Sequence, residues 1–372
     1  MNATRSRLRK SAGIISVIVS AVAVSAAVAA PVSAATTSVP DGWNATGAAT
    51  GCPAGVRLLA PAQPTAFYAA HPEALVPPGG GRAGAGILRT ARRNADARLH
   101  WRTELTCRPG HPGRPVQPAR QRAAGTTANG ASTNWSGYVT NNGPGYLGAA
   151  MEWLVPSVDP SNPNNAQASI WPGIGTGNST TDTLVQAGTQ QTGFTSTSCT
   201  KGSCVSQWNA LYSFWFETFP QEPEQEITNL TASPGDDVSA IAEYDPVSGQ
   251  AYFELADYTT NEGVYYYQPV TGSAIGSGSQ AEWIIERPET CNLGCSWWKL
   301  QNFGNEPIIN AQAVEGSTWD QVTYADAAGT NPASMTLYDC AGDQLAGVGP
   351  ITGFTDFTTS WLRYGNFDNA PC

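Results

Sequence analysis

Three short stretches of this sequence set a polar side chain into an apolar run with the two-residue period of a β-strand. In Thr183-Leu184-Val185-Gln186-Ala187-Gly188, Gln186 shares a face with Leu184 and Gly188. In Ala281-Glu282-Trp283-Ile284-Ile285-Glu286-Arg287, Glu282 and Glu286 share a face with Ile284. In Phe214-Trp215-Phe216-Glu217-Thr218-Phe219-Pro220, Glu217 falls in line with Trp215 and Phe219. An amide held among apolar neighbours must be hydrogen-bonded or used. A carboxyl group in such surroundings, far from cations, titrates above its ordinary range and suits general acid–base chemistry in acid. Each stretch also has a plainer reading: a satisfied core glutamine, a solvated edge-strand glutamate, an aromatic core stripe.

Histidine limits what other chemistry is open. His71, His100 and His111 all precede residue 126, and the rest of the chain has none. That removes Ser-His-Asp, Cys-His and histidine-ligated zinc chemistry from residues 126–372. No metal or organic cofactor is indicated. The chain has 372 residues and a formal net charge of -10, split into +11 over residues 1–125 and -21 over residues 126–372. So acidic a region repels phosphates, which excludes a nucleic-acid partner.

The elements that must position these side chains are strands. From about Ala128 onward, runs of Trp, Tyr, Val, Thr and Ile alternate with Gly, Pro, Asn, Asp and Ser turns. The alternation predicts strands at Asn134–Thr140, Ala149–Val155, Ala168–Gly173, Thr183–Gly188, Leu211–Phe219, Glu226–Thr231, Val238–Tyr244, Gln250–Asp257, Val264–Pro269, Ala281–Arg287, Thr318–Tyr324 and Ser334–Tyr338. No stretch of this region carries a helical period. Residues 126–372 are therefore expected to form one all-β domain, a large antiparallel β-sandwich of two sheets.

Upstream, Arg5, Arg7, Arg9 and Lys10 precede an apolar run from Ile14 to Ala30 and the small-residue pattern Val32-Ser33-Ala34. Residues 1–35 read as a secretory signal peptide, so a secreted, soluble protein without a membrane anchor is expected. Residues 36–125 are rich in Pro, Ala, Gly and Arg and read as a propeptide or spacer, with a basic helix within Ile87–Arg102 and an extended stretch over Arg108–Arg122. Its positive charge against an acidic domain suggests an inhibitor that binds near neutrality and loosens in acid. Eight cysteines suit export. The cheapest pairing joins Cys52 to Cys107, Cys199 to Cys204, Cys291 to Cys295 and Cys340 to Cys372, with Cys291 and Cys295 closing a small loop in preference to binding metal.

From Asn134 onward the chain resembles the glutamic peptidases, or eqolisins. The stretches that carry the resemblance occur in the family's order: Asn134-Trp135-Ser136-Gly137-Tyr138-Val139, then Trp171-Pro172-Gly173-Ile174 with Leu184-Val185-Gln186-Ala187-Gly188, then Phe214–Pro220, then Ala281–Glu286. The resemblance implies a concanavalin-like sandwich and a catalytic dyad of Gln186 and Glu282, with Trp171 and Glu217 as supporting residues near the cleft. The run Gly173-Ile174-Gly175-Thr176 departs from the family, which carries an aspartate there, and this bears on substrate contacts more than on the dyad. The implied activity is a secreted, acid-active endopeptidase, monomeric, insensitive to pepstatin, acting on proteins and peptides and held by its own propeptide.

Three rivals accompany that reading. A concanavalin-like carbohydrate-binding protein could use the 10 Trp, 12 Tyr and 9 Phe of residues 126–372 as stacking surfaces. A glycosidase could use Glu217 and Glu282 as acid and base. Given Gly175, an inactive peptidase homologue kept for binding is the third.

Overall fold

The computed structural model describes residues 45–59, 88–97, 99–110, 130–140, 145–161, 166–176, 183–201, 203–246, 248–270, 280–291, 295–316, 323–366 and 368–370. The expected signal peptide and most of the stretch Arg108–Arg122 lie outside these residues. All described residues belong to the unit Ser38–Cys372. Among them, no helix is long and apolar enough to cross a membrane.

The domain is almost wholly β. One layer runs in antiparallel order Trp135–Val139, Gln280–Glu286, Ala166–Gly175, Leu184–Thr200, Ser203–Phe219, Glu222–Ile227. A second antiparallel layer runs Asn305–Glu315, Tyr146–Leu154, Asp237–Asp245, Gln250–Asp257, Glu262–Pro269. Alternate side chains of both layers meet in one large core, which holds Ile170, Phe214, Phe216 and Trp283 from the first and Met151, Trp153, Phe253 and Tyr266 from the second. The aromatic and β-branched residues of these runs suit a pleated, buried surface. Burying each such side chain contributes about 1.5–3 kcal/mol.

The other face of the first layer carries a separate apolar cluster: Trp135, Val139, Trp171, Leu184, Trp215, Phe219, Ile284 and Met335. These positions alternate with the core residues along each strand, as the period requires. Glu217, Gln186 and Glu282 lie on this second face.

The hairpin of Leu184–Thr200 and Ser203–Phe219 runs far beyond the predicted Thr183–Gly188 and Leu211–Phe219. Its outer half is exposed and is pinned near the tip by the Cys199–Cys204 disulfide. The Cys52–Cys107 bridge is also as expected. Cys291 and Cys295 are backbone partners across a short hairpin, and Cys340 is disulfide-bonded. Cys372 lies outside the described residues.

Where described, the basic segment forms a helix and short strands that pair with the β domain. Its helix covers Arg89–Asp96, shorter than predicted. Ala45–Thr50 pairs with Arg57–Leu59 and with Glu104–Pro109. Arg57–Leu59 adds to the edge strand Glu262–Pro269 of one layer, and Glu104–Pro109 adds to the edge strand Glu222–Ile227 of the other. The segment thus bridges the two layers along one open side. Val56, Leu58, Leu105 and Cys107 join the main core. The reason is edge chemistry: both edge strands present unpaired backbone groups that short strands can satisfy.

Candidate active site

The strand registers bring the predicted residues into one row. Glu282 is opposite Gly173, Gly173 is opposite Gln186, and Gln186 is opposite Glu217. Directly opposed residues of antiparallel strands point to the same face. Four adjacent strands therefore present Glu282, a bare backbone position, Gln186 and Glu217 side by side. At about 4.8 Å per strand, Glu282 and Gln186 stand roughly 10 Å apart between α-carbons.

Each polar group is embedded. Glu282 is 0% exposed, Gln186 and Glu217 4% each. The strand Gln280–Glu286 lies between Trp135–Val139 and Ala166–Gly175, so Glu282 is an interior residue, which corrects the edge-strand alternative. Gln186 Nε2 donates to Glu217 Oε2 at 2.5 Å. That bond fixes the amide and leaves one N–H free. Gln186 Oε1 is buried and has no partner among the described residues. A buried acceptor in that condition is costly unless a water or ligand serves it. The satisfied-core-glutamine reading therefore fails on one of its two polar atoms.

Trp171 is fully buried and packs edge-to-face on Trp135 with centroids 5.4 Å apart. Its Nε1 donates to Glu286 Oε2 at 2.8 Å, and Asn134 Nδ2 donates to Glu286 Oε1 at 3.3 Å. Trp171 stands beside the row on the same face and has no solvent-facing surface. Glu286 was noted in sequence only as a face-mate of Glu282. Its anchoring of Trp171 was missed, because a carboxylate two residues from a candidate base looks like a second candidate.

Burial pushes the Glu217 carboxyl up to about 8, with the charge of Glu286 adding to the rise and the Gln186 hydrogen bond opposing it. Burial pushes Glu286 up to about 7. Away from the site, Glu254 rises to about 7 and Glu306 to about 8 for the same reason. A carboxyl group with a raised folded pKa keeps its proton where the unfolded chain has lost it. Between the ordinary 4.5 and about 8, the folded state therefore binds more protons, and stability falls as pH rises. Each excess proton is worth about 1.4 kcal/mol per pH unit, or roughly 3–6 °C in Tm for a domain of this size. Thermal scans should show the highest Tm in acid and a decline towards pH 8. A flat or rising profile would contradict the burial of these groups.

Glu217 and Glu282 are three strands apart, roughly 14 Å between α-carbons, and Glu217 is engaged with Gln186.

The Peptidase A4 family matches residues 133–343, a span that holds all four residues of the row. No curated protein matches the chain. Among solved structures, scytalido-glutamic peptidase with a peptide-based transition state analog is similar at 18% identity and a TM-score of 0.48, covering 62% of this chain and 98% of that chain. SCP-B, described as a member of the eqolisin family of peptidases in a complex with the tripeptide Ala-Ile-His, is similar at the same identity, TM-score and coverage.

Proposed function

The chain belongs to the Peptidase A4 family, the glutamic peptidases, and from that premise we propose that it is a secreted, acid-active, pepstatin-insensitive endopeptidase working through Gln186 and Glu282 on a concanavalin-like sandwich. The observation that carries the proposal is the shared row, in which a buried carboxyl group and a half-satisfied buried amide flank a position without a side chain.

The chemistry follows from the groups. Glu282, ionised, takes a proton from a water held between the two residues. Gln186 Oε1 accepts a hydrogen bond from the water's other O–H, which stays on the attacking oxygen. The water oxygen attacks the scissile carbonyl carbon, and the carbonyl oxygen becomes an oxyanion. The free N–H of Gln186 Nε2 donates to it while Glu217 holds the amide in place. Glu282 then passes its proton to the amide nitrogen, the C–N bond breaks, and a carboxylic acid and an amine leave. Glutamine does not titrate, so the oxyanion donor survives any acidity.

In this reading residues 1–35 direct export and residues 36–125 form a prosegment that restrains the β domain. The restraint is supported by arginines of the segment that meet carboxylates of the domain. Arg93 donates to Glu152 and Asp237, each at 2.5 Å, and its guanidinium lies 3.6 Å from the centre of the Tyr258 ring. Arg108 grips Glu226 at 2.6 and 2.7 Å. Arg102 pairs with Glu262, and Arg89 with Asp326 at 3.3 Å. An ion pair is lost once its carboxylate takes up a proton, while an arginine stays charged. Loss of these five pairs, at about 0.5 kcal/mol each, would weaken the grip by roughly 70-fold. A chain nicked within residues 111–129 should therefore elute as one particle in neutral, low-salt buffer and as two in acid. Co-elution in acid would refute the electrostatic restraint.

The activity itself is tested by incubating matured protein with denatured casein across the acid range with pepstatin present. Cleavage is expected. A folded, prosegment-free protein that leaves casein intact would overturn the proposal and turn attention to glycan binding.

A further inference from the structure

We infer that Gly173 is a positioning residue whose missing side chain keeps open the space in which the attacking water and the scissile carbonyl meet. The inference rests on the Gln186–Glu282 reading above and adds a residue to it.

Gly173 is the direct cross-strand partner of both groups, Glu282 on one side and Gln186 on the other. Any side chain at this position would rise from the same face and stand between them. A β-carbon here would lie 3.1 Å from Gln186 Cβ, 3.0 Å from Trp171 Cζ3 and 3.0 Å from the Val185 carbonyl oxygen. These contacts are tighter than β-carbons ordinarily make, so Gln186, Trp171 or the strand backbone would have to shift by a few tenths of an ångström. Glycine in a buried strand interior gives up packing and adds entropy to the unfolded chain, and it often marks a place where another molecule approaches the backbone.

Gly188 supplies the contrast. It lies on the same face, opposite Trp215. A β-carbon there would stand 1.9 Å from the Ile170 carbonyl oxygen and 2.8 Å from Trp171 Cβ. Strand packing alone demands glycine at 188. At 173 the clash is milder, and the atoms a methyl group would press on include Gln186 Cβ and the Trp171 ring beside the two proposed catalytic side chains. A methyl group is close in size to the one water it would displace.

The test compares wild type, Gly173→Ala and Gly188→Ala in the full chain matured in acid. Readouts are Tm, kcat and KM on a defined peptide, and the affinity of a non-hydrolysable peptide analogue from tryptophan fluorescence. Gly173→Ala is expected to fold with a Tm within a few degrees of wild type and to bind the analogue within about fivefold. Its kcat should fall at least 100-fold, the order of loss that misplacement by about 1 Å produces. Gly188→Ala is expected to lose folded yield. The inference is overturned if folded Gly173→Ala keeps kcat within about threefold, or if its Tm, affinity and kcat fall together as a packing defect would make them. If wild type itself cleaves nothing, the dyad reading fails and this inference fails with it.

Discussion

Glu282→Gln is expected to fold as wild type does and to hydrolyse peptides about 10⁴-fold more slowly. The substitution keeps shape and volume, so the burial of residue 282 and its register against Val139 and Gly173 are preserved. What is lost is the only group in the row that both faces the water site and exchanges a proton in the proposed cycle. General acid–base catalysis typically contributes 10²–10⁴-fold. Glu282 serves as base in the first step and as acid in the second, so the upper end applies. Steady-state kinetics on a defined peptide, with circular dichroism to verify folding, measure the effect. A kcat within tenfold of wild type would remove Glu282 from the mechanism.

Gln186→Ala is expected to lower kcat by about 10²–10³-fold, the usual loss on removing one oxyanion donor. The change deletes the free N–H and the Oε1 acceptor together. It also strips Glu217 of its 2.5 Å donor, leaving a buried carboxyl group with one partner fewer. Because Glu217 already holds its proton up to about 8, that loss falls on a neutral group in acid and should cost little stability there. Activity should fall while the shape of the pH profile is kept, since glutamine does not titrate. A shifted profile with nearly unchanged kcat would mean that Gln186 tunes a neighbouring carboxyl group and does not touch the oxyanion.

The local part of this site was legible in sequence. Period-two patterning put Gln186 with Leu184 and Gly188, Glu217 with Trp215 and Phe219, and Glu282 with Ile284, and all are found on one face. The non-local part was not. Pattern alone could not say that Gln280–Glu286 is an interior strand, because its neighbours lie more than a hundred residues away. Nor could it say that Gly173 separates the two functional groups, since register across non-adjacent segments leaves no trace in one sequence. Only the ordered family resemblance joined Gln186 to Glu282.

Other misses have definite causes. Asn305–Glu315 is absent from the predicted strands, its period interrupted by Asn305, Pro307 and Asn310, residue types disfavoured in strand interiors. In the fold this strand is bulged between Ile309 and Gln312, with Asn310 at φ 54. The outer hairpin lies outside the predicted strands because its Ser and Thr residues are polar on both sides, as befits an exposed ribbon. Composition, from which residues 36–125 are expected to be a propeptide or spacer, gives no sign of the short strands between Ala45 and Pro109. Those strands are held by the domain's edges more than by their own propensity. The charge split, in contrast, anticipated the arginine–carboxylate pairs that join the two parts.

The central claim is that Gln186 and Glu282 together hydrolyse a peptide bond. The most direct measurement is mass spectrometry of one defined peptide incubated in mildly acidic buffer, with pepstatin, beside matured wild type and beside Glu282→Gln. The account predicts internal cleavage by wild type and an intact peptide with the variant over the same time. Equal cleavage by both proteins, or none by a folded wild type, would contradict it.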